Sequence, residues 1–342
     1  MKIAISLCFT LFLTFWSLHS LAQEKLIKPT LKGTFFRYFE KSMKKWQGLD
    51  SVAFTYDAQG NKTSISEFTG DDIVYATTQR KYTYNSKNQM TTENLFFWDY
   101  NNNKWCTTPQ SKVTYTYNNI DSLTSILYES KDSLGWSNSS KWEYTYDSNN
   151  HKIQELGYMW DTLTNSWSNK GCEKFTMTYL NNRLTSKTNY VWDYNNNQQK
   201  MVSRTNYTYT SKGLLETSSN LVWDGVNTWH NSMKDSLVYD MNNLKITEYG
   251  FSFDDVKTKG WNKVYKNDYT LNVNYQISSI LQTYWNSKIN MFSIDVNTKK
   301  STYNYNKDQQ VTSVYDKMYD TIRKQFTDYS ELYFYYEKTL VN

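Results

Sequence analysis

Four tryptophans, Trp105, Trp167, Trp229 and Trp261, stand beside loops rich in Asp and Asn. An indole within reach of solvent offers a flat apolar face with a polar edge. Neighbouring carboxylates and amides add hydrogen bonds, and the combination suits a sugar ring. These four are the candidate ligand contacts, against the simpler reading that they pack the ends of hairpins. Catalytic chemistry has less to build on. After residue 22 the histidines are His151 and His230, far apart and each next to a turn or loop. There is no G-x-S-x-G, H-E-x-x-H or phosphate-binding glycine loop. Asp99, Asn101 and Asn103 alternate like a calcium loop, as do Asp193, Asn195 and Asn197. The sixth position of the first is Lys104 and the twelfth Gln110, where calcium would want Gly and a carboxylate, so both read as turns. No enzymatic activity, cofactor or metal is expected.

The elements that must position these residues are repeats. A tyrosine in a T-Y-x-Y or related strand recurs at Tyr56, Tyr84, Tyr117, Tyr146, Tyr179, Tyr209, Tyr239, Tyr269, Tyr305 and Tyr335, about 31 residues apart. In Lys174 to Trp192, Phe175, Met177 and Tyr179 alternate with polar residues, a turn follows, and Leu184 to Trp192 resumes the alternation. Each repeat is therefore a β-hairpin. Four residues after the tyrosine stand Gly60, Asn88, Asn150, Gly213 and Asn243, types that accept positive φ. A second aromatic series closes the returning strand at Phe68, Trp98, Tyr128, Trp160, Trp192, Trp223, Phe253, Trp285 and Tyr315. Its members can face Trp105, Trp167 and Trp229 across short loops. Ten hairpins make about twenty strands, and sheets beyond roughly ten strands curl, close or stack. The expected fold is all-β, with tandem antiparallel hairpin repeats of about 31 residues forming a large coiled or closed meander sheet. Most tyrosines should face inward, in a single domain over residues 23–342.

Residues 1–22 carry Lys2, an apolar run from Ile3 to Leu18, and Ser20-Leu21-Ala22. They read as a secretory signal peptide cleaved before Gln23, which makes the protein secreted to the periplasm, cell surface or exterior. The remaining chain has a net charge of +4 with scattered lysines, a pattern that gives nucleic acid no patch to bind. It retains Cys106 and Cys172, two repeats or four strands apart. Four strands span about 19 Å of flat sheet, too far for a disulfide unless the sheet winds tightly.

The segment Phe54-Thr55-Tyr56-Asp57-Ala58-Gln59-Gly60-Asn61 resembles the tyrosine-aspartate repeats of Rhs and teneurin-like proteins, with their Y-D-x-x-G core; Tyr146-Asp147 and Tyr239-Asp240 match it in part. The resemblance implies a secreted or surface-exposed β-sheet shell. The chain departs from that family in its longer units, in Asn where Gly is usual and in its Trp-Asp loops. It also lacks a core-junction motif, and no toxin-delivery role is expected. It is similar to secreted Asn- and Tyr-rich repeat proteins of Bacteroidota. Asp followed by Ser or Thr and an aliphatic residue is similar to the O-glycosylation signal of that phylum, and would place sugars on Ser51, Ser122, Ser133, Thr162, Ser236 and Thr321. The leading functional expectation is a secreted, non-enzymatic repeat protein presenting an aromatic and polar surface to a polysaccharide or a cell-surface protein. The alternatives are a passive envelope scaffold and an outer-membrane β-barrel. Ser186 and Thr188 interrupt the apolar face that lipid would need.

Overall fold

In the computed structural model, residues 29–338 are described except 41, 44, 71–74 and 257. The signal-peptide expectation for residues 1–22 lies outside them. Twenty-three strands form one antiparallel sheet among the described residues. Lys104–Trp105, Ser166–Ser168 and Met291–Ser293 are short tips that pair with the same neighbour as the strand after each of them. Twenty staves remain, each joined to the next by a hairpin. The first, Pro29–Glu40, pairs along most of its length with the last, Gln325–Lys338. The meander is thus a closed barrel. Twenty staves at about 4.8 Å, tilted about 40°, give a circular section about 40 Å across.

A barrel that wide cannot be filled by its own side chains. Ala76, Met177 and Leu271 are the buried apolar side chains among the described residues. Ladder hydrogen bonds and cross-strand pairs hold the fold instead of a core.

The repeat tyrosine has a defined task. Tyr56, Tyr84, Tyr117, Tyr146, Tyr179, Tyr209, Tyr239 and Tyr305 each donate from Oη to a backbone carbonyl of the preceding hairpin, those of Leu31, Lys62, Met90, Leu123, Lys152, Leu184, Leu215 and Ile277, at 2.5 to 3.1 Å. Each acceptor lies at or near the start of a strand, so the phenols lock successive hairpins together. The threonine before the tyrosine also has a partner. Except at the turn between Asp240 and Lys245, a bulge follows each polar turn, for example where Tyr56 pairs with Lys62 and Thr55 with Ser64. Thr55 Oγ1 then lies 2.8 Å from Thr63 Oγ1 and 2.6 Å from Ser64 Oγ. Thr83 and Thr178 repeat the arrangement.

Positive φ falls at Gly60, Asn88, Asn150 and Gly213, as the turn chemistry requires. At 240–244 it falls on Leu244 and not on Asn243, because the turn closes one residue later through Leu244 N–H to the Met241 carbonyl. The series also ends one residue later than its spacing suggests. Tyr336 shares the inner face with Leu332 and lies near Tyr56, while Tyr335 is on the opposite face and exposed.

The inward face follows from register. Asp57 and Asn85 bond forward to the returning strand through their backbone, as do residues of the Thr55 and Thr83 parity behind them. Around the ring, Thr55 pairs with Ser64, then Lys81, Asn94 and Lys112, progressively farther from the polar turns. With the fixed hand of strand twist, that drift puts the repeat tyrosines on the concave face. The outer wall carries the other parity, including Lys81, Lys112, Lys141, Lys174, Arg204, Lys234, Lys266 and Lys300.

Candidate functional site

The loop tryptophans are half-buried and engaged. Trp98 pairs with Trp105, Trp160 with Trp167 and Trp223 with Trp229, each with ring centroids 5.0 Å apart, and Phe253 meets Trp261 at 5.2 Å. Edge-on pairs of this kind contribute about 0.5–1.5 kcal/mol each beyond burial. Tyr319 and Phe326 make the last such pair, at 5.4 Å. Tyr315, assigned to this series by spacing, instead sits deeper in the strand against Tyr333. Tyr128 faces the lumen opposite Ser140. A cation covers several of the indoles: Lys141 over Trp167 at 5.1 Å, Arg204 over Trp229 at 4.5 Å and Lys234 over Trp261 at 4.9 Å. A sugar would have to displace that cation to stack on the same face.

Asp99 Oδ1 accepts from the N–H groups of Asn101 and Asn102, and Asp193 does the same with Asn195 and Asn196. The calcium-like spacing thus serves the turns. Hydrogen bonds from Asn102 hold the Asp99 carboxyl below the usual carboxylate range. His151 stacks on Tyr179 and lies 3.0 Å from Asp147, while His230 lies at the opposite end of the strands near Asp224. Cys106 and Cys172 are free thiols. Of the six Asp-Ser/Thr-aliphatic sites, Ser133, Thr162 and Thr321 are at exposed loop tips, whereas Ser51 and Ser236 lie within strands. Ser122 is buried and donates to Asn150 Oδ1 at 2.6 Å.

The most developed polar cluster is on the lumen wall, where spacing alone did not point. Tyr265 Oη donates to Asp235 Oδ1 at 2.7 Å, and Tyr269 Oη donates to Glu248 Oε2 at 2.6 Å. Asn267 Nδ2 donates to the same Glu248 oxygen at 2.9 Å, and Ser218 Oγ donates to Asp235 at 3.3 Å. Gly250, cross-strand from both Asp235 and Tyr265, makes the arrangement feasible: a Cβ there would lie 2.1 Å from the Tyr265 ring, which occupies that space. Burial, then the nearby carboxylates, raises the pKa of both phenols, so they remain donors. Glycine in a strand interior marks a close approach, and Gly250 was the sequence signal for this patch. Farther round the lumen, Glu155 meets Lys152 and Lys187 and Asp316 meets Lys299, Ser301 and Ser330. The wall therefore presents carboxylates paired with phenols in one sector and with Lys or Arg in others.

No protein-family model matches the chain, and no curated protein matches its sequence. Among solved structures, a Bacteroides fragilis protein of unknown function aligns with 44% of this chain and all of its own, at 15% identity and a TM-score of 0.34. A porin-like protein from Bacteroides uniformis aligns with 90% of this chain and 98% of its own, at 10% identity and a TM-score of 0.34. A porin-like protein from Bacteroides vulgatus aligns with 91% of this chain and all of its own, at 9% identity and a TM-score of 0.28.

Proposed function

We propose that this protein is a hollow, non-enzymatic barrel of the cell envelope whose lumen wall is the working surface and holds a segment of polysaccharide. The observation that carries the reading is the lumen patch of Asp235, Gly250, Tyr265, Glu248 and Tyr269, a glycine-floored row of phenols and carboxylates in a lumen wide enough for a hydrated chain. Aromatic rings beside carboxylates provide stacking faces and hydroxyl acceptors. The test is a titration of residues 23–342 with a panel of bacterial, algal and plant polysaccharides, read by intrinsic fluorescence. Saturable binding weakened at least tenfold by Glu248→Gln and Tyr265→Phe, and left unchanged by Trp105→Ala with Trp167→Ala, is the expected result. Loss through the loop tryptophans instead would return the site to the loops. No binding across the panel would leave the scaffold.

An outer-membrane pore is the second reading. It is favoured by closure, an even number of staves and an aromatic girdle on the outer wall near one rim. Against it stands the same outer wall farther along the strands. A lipid-facing Lys or Arg at the bilayer midplane costs about 2–4 kcal/mol, and Lys174, Lys266 and Lys300 lie on this wall away from the girdle indoles. Stepwise conductance in a planar bilayer would establish the pore; solubility without detergent would exclude it.

A further inference from the structure

The two rims of the barrel differ in a way that neither the lumen reading nor the girdle alone explains. Most described loops at the Trp98 end carry an aliphatic residue at the turn, while the two after Trp98 and Trp192 carry Tyr100 and Tyr194 instead. Leu134, Leu163 and Ile322 are 96%, 95% and 92% exposed, and Val226 and Val256 are each 79% exposed. The Asp of the same turn accepts the loop N–H groups, as Asp132 does from Leu134 and Asp161 from Leu163. The turn's polar groups are thus satisfied internally, and the aliphatic tip is left outermost. Just behind the tips, on the outer wall, come the aromatic pairs. Directly over those indoles come Lys141, Arg204 and Lys234. From the rim inward the order is aliphatic, aromatic, cationic.

We propose that this rim seats in the surface of a lipid bilayer with anionic headgroups. The order matches the depth profile of a membrane interface. Aliphatic side chains enter the hydrocarbon edge, Trp and Tyr sit at headgroup level and Lys or Arg reaches the phosphates. A second copy docked rim to rim fits the same tips less well, because it would leave the outer-wall girdle and its cations uncovered. The rim enters only to the depth of the loops and girdle, so the charged wall beyond stays in water. The inference does not depend on what the lumen holds.

The experiment is co-sedimentation of residues 23–342 with phosphatidylcholine vesicles containing phosphatidylglycerol, with brominated acyl chains as quenchers of tryptophan. The protein should bind, its tryptophan emission should be quenched, and high salt should weaken binding. Leu134→Ser, Leu163→Ser and Ile322→Ser together should reduce binding at least tenfold, while Ile120→Ser with Val273→Ser at the other rim should change it little. Because all five positions are exposed turns, both variants should retain the wild-type circular dichroism. Absence of vesicle binding, or equal loss from both rims, overturns the proposal. So does a wild-type dimer that the triple variant dissolves without any vesicle binding. Hexose on Ser133, Thr162 and Thr321 of the native protein would also overturn it, since sugars there would cover the tips.

Discussion

At the Tyr84 end of the strands, the side chain that organises each hairpin points into the lumen and bonds to the backbone of its predecessor. At the Trp98 end, the organising side chain points out and packs on the tip that leads into the next hairpin. Both contacts join consecutive hairpins, the phenol from inside the barrel at one rim and the indole from outside at the other. The turns differ accordingly. Those after the tyrosines are mostly Asn, Ser, Lys and Gln, with Ile120, Leu180 and Val273 exposed among them, whereas most loops at the Trp98 end expose Leu, Val or Ile and two expose Tyr100 and Tyr194. The strand ladder is common to both ends, so the contrast lies in the side chains. A barrel without a packed core can evolve its rims separately, because few contacts cross between them.

Removing an aromatic from a pair should have the larger effect. Trp223→Ala deletes the contact with Trp229, the ring that Arg204 covers. A loss of about 2 kcal/mol is expected, below the value for a fully buried aromatic because Trp223 is half-buried. Urea denaturation followed by far-ultraviolet circular dichroism would measure it. Tyr209→Phe removes only the hydrogen bond to the Leu184 carbonyl and should cost about 1 kcal/mol. Hydrogen exchange should then rise in the two hairpins that the phenol joins, and stay unchanged at the Trp rim. Equal effects across both rims would mean that the ends are coupled through the barrel.

The smallest effects concern titration. The hydroxyl of Thr164 and the N–H groups of Leu163 and Thr164 hold the Asp161 carboxyl below the usual carboxylate range. The backbone N–H of His151 leads the same shift at Asp147, on the opposite rim. A depressed folded-state pKa contributes stability that is present above the unfolded value of about 3.9 and is lost as pH falls through the folded value. Both rims should therefore loosen only below about pH 4, and Asp161→Asn should remove the acid sensitivity of its own loop alone. At the alkaline end, burial pushes Tyr82, Tyr144 and Tyr305 up to about 12. Their phenolate absorbance should rise well after that of ordinary tyrosines.

Much of this architecture was legible in the sequence. Period-two alternation around Met177 and Tyr179 specifies a strand, and the regular spacing of Tyr146, Tyr179 and Tyr209 specifies the repeat. Closure was not legible. It depends on Pro29–Glu40 meeting Gln325–Lys338, a pairing that no local pattern encodes. The last member of the tyrosine series was misplaced because Tyr333-Phe334-Tyr335-Tyr336 is aromatic at every position, which removes the alternation that identifies a face. The Trp pairs were readable from loop length. The lumen patch was not, because Asp235 and Tyr265 lie in consecutive repeats and only the glycine between them hints that they meet. The exposed tips were visible as Asp-Ser/Thr-aliphatic triplets, but only the folded chain collects three of those six on one rim.

Small-angle X-ray scattering of residues 23–342 in detergent-free buffer would show whether the closed barrel stands hollow in water. A soluble particle scattering as a hollow cylinder about 40 Å across its wall is the predicted result. A chain that needs detergent to stay in solution, or one that scatters as an open coil or a filled globule, would contradict it.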